Sequence, residues 1–262
     1  MLPLLILFSF SLLFGSEHYA KFEPLSSATI KASASGKIVE ANLSSEGRYI
    51  RDSKIIQIDD YLDRLDLNRT LESVKLLRDD LNLTLELLPD LRENATRQKS
   101  YYLRMRNLSS ASQSQKDNAF ASALSAKNQY LSAKSRVINL KEQILNLEQK
   151  IDSLRDRISK KSVVIKDSYL YKLLVREGEY ATISQPLAVV KDLRGGKFIL
   201  YLSLDELKDI DRKKIYIDGK LSRAKISKIW RVSDEKFISL YRAELILEPK
   251  FKFSSLHKVE IK

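Results

Sequence analysis

The chain has 262 residues, 44% hydrophobic and 31% charged, enough to bury one sizeable core or two modest ones. With no Cys, a disulfide scaffold, a thiolate metal site and a cysteine nucleophile are excluded; with only His18 and His257, near opposite ends, a histidine-based metal cage or triad is not expected. The net charge of +12 permits contact with nucleic acid or anionic lipid, but the excess is spread out and forms no block suited to a nucleic-acid groove.

Leu2 to Phe14 are almost wholly apolar, followed by the small residues Gly15 and Ser16 and a polar stretch from Glu17. About 13 apolar residues suit the core of a signal peptide and fall short of the roughly 20 that span a bilayer. Residues 1–16 are therefore expected to be an export signal. A cysteine-free exported chain suits a bacterial periplasm, which argues against a nucleic-acid partner.

Sliding the sequence on itself superposes two distant stretches without a gap. Val39 falls on Leu170, Leu43 on Leu174, Glu46 on Glu177, Gly47 on Gly178 and Tyr49 on Tyr180. The match continues with Ser53 on Ser184, Ile56 on Leu187 and Ile58 on Val189. Each copy alternates apolar and polar residues and turns at Glu-Gly, the pattern of short strands joined by a tight turn. A half-unit of this size cannot bury its own apolar face, so the two are expected to pack on each other.

Between them lies a helical insertion. Ala119, Ala123, Ala126, Tyr130, Ala133, Val137, Leu140, Ile144, Leu147, Ile151, Leu154 and Ile158 alternate spacings of three and four, a coiled-coil seam. A looser seam precedes it: Leu67, Thr70, Val74, Leu77, Leu81, Thr84, Leu88, Leu91, Ala95, Gln98, Tyr102 and Met105. Each covers about 39 residues, or roughly 60 Å of helix. Asn107 to Ser114 is rich in Ser and Asn and favours a turn. The pattern predicts an antiparallel α-hairpin over 61–161 with its tip near 107–114, splitting a domain of 17–60 plus 162–193. Pro89 is expected to kink the first helix or start a new run, and Leu81, Leu83, Leu85 and Leu87 locally mimic a strand.

Beyond Asp192, Arg194-Gly195-Gly196-Lys197 is expected to break the chain. Phe198 to Leu204, Lys213 to Ile217, Ala224 to Trp230 and Tyr241 to Leu247 read as strands, with a short helix or turn over Leu204 to Ile210. Residues 194–262 are therefore expected to form a small antiparallel β-barrel.

This order of parts resembles the HlyD-like membrane fusion proteins, the periplasmic adaptors of tripartite efflux and secretion systems. The specific strings are Ala32 to Ile38, Glu46 to Ile50, and Val175 to Tyr180, which look like the two half-motifs of a lipoyl-type domain. The stretch from Lys197 through Ser203-Leu204-Asp205-Glu206-Leu207 to Leu245 is similar to the family's β-barrel. The resemblance implies an elongated α+β fold, in which a split lipoyl-like β-sandwich is interrupted by the coiled-coil hairpin and followed by the barrel. The late glycine of each half-motif is Ser53 and Ser184 here, and Lys166-Asp167-Ser168-Tyr169 replaces the usual Asp-Gly turn. The membrane-proximal domain of larger members looks missing or rudimentary.

The resemblance also implies partners: an inner-membrane transporter of RND or ABC type, a TolC-like outer-membrane channel, and further copies of the chain in a hexamer, peripheral to the membrane. No enzymatic activity, metal or cofactor is expected. Lys37 invites a lipoyl-carrier reading, but the hairpin occupies the turn where a carrier's lysine sits. At the tip, the residues matching those that engage the channel are Arg104, Leu108 and Ser112, with Ser114 as a competing choice and Asp117 opening the second helix. A solvated Ser-rich turn carrying a surface Arg is the plain alternative. Asn42, Asn68 and Asn82 fit an acidic-x-Asn-x-Ser/Thr glycosylation pattern. The expected function is export, of small molecules or drugs; the alternatives are a type I protein-secretion adaptor, a structural coiled-coil tether without a pump, or a nucleic-acid-binding coiled coil.

Overall fold

A computed structural model describes residues 16–234 and 236–262. The expected export signal lies outside these residues except for Ser16, which already belongs to the first strand. The chain divides into two compact units: a helical one, Ile58–Ser162, and a β unit made of the residues before and after it.

In the helical unit α1 (Tyr61–Asn107) and α2 (Gln113–Lys160) form an antiparallel hairpin. Every seam position named above is buried or half-buried. Thr70 and Thr84 fit the dry seam because their hydroxyls donate back to the carbonyls of Asp66 (2.7 Å) and Asp80 (2.8 Å). Ion pairs fix the register: Arg78–Glu148 (2.6 Å) on one flank, Asp80–Arg136 (2.8 Å) and Asp66–Lys150 (3.0 Å) on the other. Exposed pairs of this kind stabilise little singly, but an antiparallel slip would break all three. α1 runs through Pro89 without starting a new run. Leu83, Leu85 and Leu87 are not a strand; they lie exposed on the helix.

The β unit holds β1 (Ser16–Lys31), β2 (Gly36–Ala41), β3 (Arg48–Ile58), β4 (Ser162–Leu173), β5 (Tyr180–Ala181) and β6 (Pro186–Leu202). After the short α3 (Leu204–Leu207) follow β7 (Ile215–Ile217), β8 (Lys220–Ser222), β9 (Ile226–Ser233), β10 (Tyr241–Leu247) and β11 (Leu256–Ile261). The strand order is β5-β2-β3-β4-β6-β1-β11-β7-β8, with β10 pairing β6 and β9 pairing β10.

The two half-motifs interlock. Gly47 N–H donates to the Leu170 carbonyl (2.9 Å), and Gly178 N–H donates to the Ile38 carbonyl (2.9 Å). Both glycines turn the chain at positive φ, 74° and 90°. Ile38, Ile50, Ile55 and Ile56 from one half and Leu170, Leu173, Ala181 and Leu187 from the other are buried. The sequence match slips by one residue ahead of the turn: Val39, aligned with buried Leu170, is exposed, and its neighbour Ile38 faces inward. A one-residue slip in a strand exchanges its faces.

Two expectations for the C-terminal part are corrected. The chain does not break at Gly195-Gly196; β6 runs through it. A Cβ on Gly196 would lie 2.0 Å from Cζ of Phe22, so the glycine seats an aromatic ring against the strand. That ring anchors a cluster with Phe198, Phe251 and Phe253, at centroid distances of 5.1, 5.5 and 5.2 Å. The sheet is also not closed into a barrel. β8 offers three ladder residues, and among the described residues it does not pair with β9. Nor do residues 17–21 stay with the first half-motif: they pair with β11.

Two of the three departures at glycine-favouring sites, though not Ser53, have a conformational counterpart. Asp167 (φ 43°) and Ser184 (φ 68°) both occupy the left-handed region. Ser184→Gly is expected to stabilise the fold by about 1 kcal/mol. Gly196→Ala is expected to destabilise it by about 3 kcal/mol, because the Phe22 ring cannot stay in place. Thermal unfolding followed by circular dichroism checks both; an unchanged midpoint for Gly196→Ala refutes the ring-seat account.

Candidate functional site

The hairpin tip is built from the end of α1, a five-residue turn (108–112) and the start of α2. Leu108 leaves the helix in an extended conformation, its N–H donating to the Met105 carbonyl (3.2 Å). Ser112 starts α2 through a capping box: its Oγ accepts from Gln115 N–H (3.3 Å), and its own N–H donates to Gln115 Oε1 (2.9 Å). The second helix thus opens at Ser112-Gln113, not at Asp117, which accepts a hydrogen bond from the Gln113 amide (2.9 Å).

Arg104, Leu108, Ser112 and Ser114 all lie exposed at this one end of the hairpin. Arg104 sits in the last turn of α1 with Arg106, where cations oppose the negative end of the helix dipole. Among the described residues no carboxylate pairs with Arg104, so its forked donor is available outward. Leu108 is 48% exposed. The Ser112 oxygen is engaged in the cap, whereas Ser114, in the first turn of α2, presents its hydroxyl without that duty. Together they offer a forked cation, an apolar contact and small hydroxyls, a set able to bind carbonyl-terminated helix ends.

Behind the tip, Tyr102 packs on Phe120 (5.4 Å between ring centroids) over the alanine-rich part of the α2 seam. Phe120 was not singled out by pattern, because it lies beside the seam position Ala119.

The other end of the helical unit is closed by charge. Asp63, buried, pairs with Lys161 (2.6 Å) and Arg157 (3.1 Å). Lys161 also donates to the Asp59 carbonyl (2.7 Å), and Ile58 N–H donates to the Lys161 carbonyl (2.8 Å). Burial alone would raise the Asp63 pKa, but the hydrogen bonds and charges of Lys161 and then Arg157 outweigh it and hold the carboxyl below its ordinary value.

Both histidines are engaged. His18 meets Glu206 at 2.7 Å. Burial pushes Glu206 up, but hydrogen bonds from Ser203, Ser16 and His18 bring it down to about 2. His257 Nδ1 lies 2.7 Å from Asp218, and its Nε2 lies 2.6 Å from Ser255 Oγ. That Ser–His–Asp chain was not expected from two distant histidines. Ser255 Oγ also reaches the Lys252 carbonyl, which competes for its proton, and His257 packs on the Phe251 ring (4.6 Å). The grouping ties β11 to the turn before β8.

Lys37 lies within β2 opposite Tyr180, not at a turn. Asn42 sits in a turn, accepting from Ser44 (2.7 Å). Asn68 and Asn82 lie on α1, and the hydroxyls of their partner residues, Thr70 and Thr84, are buried in the seam. Among the described residues no group of three or more His, Cys, Asp or Glu side chains could hold a metal ion.

No protein-family model matches the chain, and no curated protein sequence matches it. Solved structures do. MacA from Actinobacillus actinomycetemcomitans aligns with a TM-score of 0.71 at 16% identity, over 95% of this chain and 78% of that one. The membrane fusion protein Spr0693 from Streptococcus pneumoniae R6 aligns at 0.57 and 10% identity, over 94% and 98%. A MacA–MexA chimera carrying the Pseudomonas aeruginosa MexA α-hairpin aligns at 0.59 and 14%, over 95% and 80%. The chain has the membrane fusion protein fold. Among its described residues no helix is long and apolar enough to cross a membrane.

Asp63→Asn is expected to cost about 2 kcal/mol at neutral pH, less than a fully buried pair because Arg157 is largely exposed. With its folded-state pKa depressed, the Asp63 contribution is fully present above the ordinary value of 3.8 and is lost as pH falls through the lowered one. Denaturant titrations at neutral pH and at the acid end of the stable range check this: the gap between parent and variant should shrink in acid.

Proposed function

We propose that this chain is the periplasmic adaptor of a tripartite export system, joining an inner-membrane transporter to a TolC-like outer-membrane channel, with small molecules as the exported class. The observation that carries the reading is the hairpin: two helices of 47 and 48 residues, inserted between two interlocking β halves and ending in an exposed Arg–Leu–Ser tip. The fold shared with a membrane fusion protein supports it. In this reading the protein hydrolyses nothing. It supplies a sealed path, and the transporter, of RND or ABC type, supplies the energy.

Homo-oligomerisation, as a hexameric ring, follows in the same reading from the flanks of the hairpin. α1 exposes Leu76, Leu83 and Leu87 on the flank of Asp80, and α2 exposes Leu131, Ile138 and Leu145 on the flank of Glu148. Two different apolar stripes on opposite sides suit a head-to-tail contact between copies, the kind of contact that builds a ring when its rotation closes.

The test is export in cells carrying the cognate transporter and channel. Arg104→Glu combined with Leu108→Asp should lower export at least about tenfold, the loss expected when a charge and an apolar anchor are both reversed at an interface. The unfolding transition should move little: neither side chain is buried, and reversing Arg104 at the negative end of α1 costs under about 1 kcal/mol. Undiminished export by this variant refutes the tip assignment; the reading gains if photo-crosslinkers at 108 capture the channel.

A further inference from the structure

We propose that the end of the β unit at which β1 begins is a lipid-insertion surface, the turn between β9 and β10 placing Val232, Phe237 and Ile238 among the headgroups and upper acyl chains of a bilayer. The inference rests on the envelope location of the proposed reading and not on the pump.

Three side chains at this turn are turned out to water. Ile238 is 85% exposed, Val232 77% and Phe237 46%. Leu204, just after β6, is exposed at the same end. Scattered exposed apolar residues are ordinary, but a cluster at the tip of a hairpin marks a contact surface.

Strand register says what lies beside it. Phe22 pairs with Phe198 and Leu245 pairs with the same residue, so β1 and β10 flank β6 at one level. From that level β10 reaches the turn at Tyr241, opposite Leu202, while β1, antiparallel to β6, runs in the same direction to Ser16. Contacts agree: His18 meets Glu206 just beyond the end of β6, and Phe237 packs on Tyr201 (4.4 Å) near that end. Ser16 therefore lies at the end that carries the exposed turn, and the apolar run Leu2 to Phe14 precedes it in the sequence. A run of that composition, in its expected role of export signal, brings the start of β1, and with it the exposed turn, to a membrane surface.

Behind the turn stands Trp230, with Lys228 (4.4 Å) and Arg242 (4.6 Å) over its ring. An indole flanked by cations, one step behind apolar tips, is the arrangement favoured at headgroup depth. The turn itself carries Arg231 and Lys236 against Asp234 and Glu235, no net charge. Apolar burial of the tip therefore drives insertion, and Lys228 and Arg242 behind it add an attraction to anionic lipid that salt weakens.

The chain has no cysteine and one tryptophan, which gives two clean probes. The full chain carrying Ile238→Cys, labelled with an environment-sensitive dye, is mixed with protein-free phosphatidylethanolamine–phosphatidylglycerol vesicles containing acyl-brominated lipid. Tyr180→Cys, at the far end of the β unit, is the control. The expected result is a blue shift and bromine quenching at 238 and neither at 180, weakened but still present at high salt. The Trp230 emission should shift with it, and Phe237→Ser with Ile238→Ser should reduce its quenching about tenfold. The Phe237→Ser, Ile238→Ser chain keeps residues 1–15, so retention by that run alone would leave the Trp230 quenching unreduced, which overturns the proposal. An unquenched 238 label, equal quenching at 180, or quenching that needs protein-containing native membranes overturns the proposal; the last outcome assigns the surface to a protein partner. Export and quenching are read separately, so a quenched tip without export removes the adaptor reading alone, and export with an unquenched tip removes this one alone.

Discussion

The architecture depends on one reciprocal backbone contact. Each half-motif turns at a glycine whose N–H donates to a strand carbonyl of the other half, Gly47 to Leu170 and Gly178 to Ile38. Neither half has enough strands to shield its own isoleucines and leucines, so each core exists only when the other arrives. Because the halves are separated by the whole helical unit, the insertion must end where it began. A disordered insertion would tax that closure with loop entropy. An antiparallel hairpin, whose first and last residues meet at the Ile58–Lys161 hydrogen bond, returns the chain to its starting point.

The helical part was the most legible in sequence because a seam alternating threes and fours admits one geometry, and every predicted seam residue is inward. The decoy run Leu81 to Leu87 shows why length matters: four alternating leucines suggest a strand, but they sit inside a register sustained on both sides. The turn lies at 108–112, within the Ser- and Asn-rich stretch, and the second helix starts at Gln113, not Asp117, because its cap, Ser112 with Gln115, acts through hydroxyl and amide rather than charge.

The β part was less legible for two physical reasons. Gly195-Gly196 carries the composition of a break, yet its lack of side chains serves a distant ring, Phe22, which no local pattern can announce. β11 and the start of β1 both alternate correctly, but each is a single short strand whose pairing partner lies at the other end of the sequence. Pattern gives a strand its faces; it does not give it a neighbour. The same blindness hid the grouping of Ser255, His257 and Asp218, and the cluster at the β9–β10 turn, where exposure and not residue type is the signal.

The open sheet links these observations to the surface of the molecule. A closed barrel has no edges to protect, whereas here β5, β8 and β9 are edge strands of the described sheet. β8 is protected by being short. β9, with eight residues, carries Lys225 before it and Lys228 and Arg231 along it, charges that discourage another strand from adding to the edge. Past Arg231 that protection stops, and Val232, Phe237 and Ile238 follow. A strand that guards its length with cations and then presents apolar side chains at its tip is built to keep out a neighbouring sheet while accepting a different kind of surface. With β1 beginning at the same end, the bilayer interface proposed above meets both requirements: it offers no strand to pair with β9 and a place for three exposed apolar side chains.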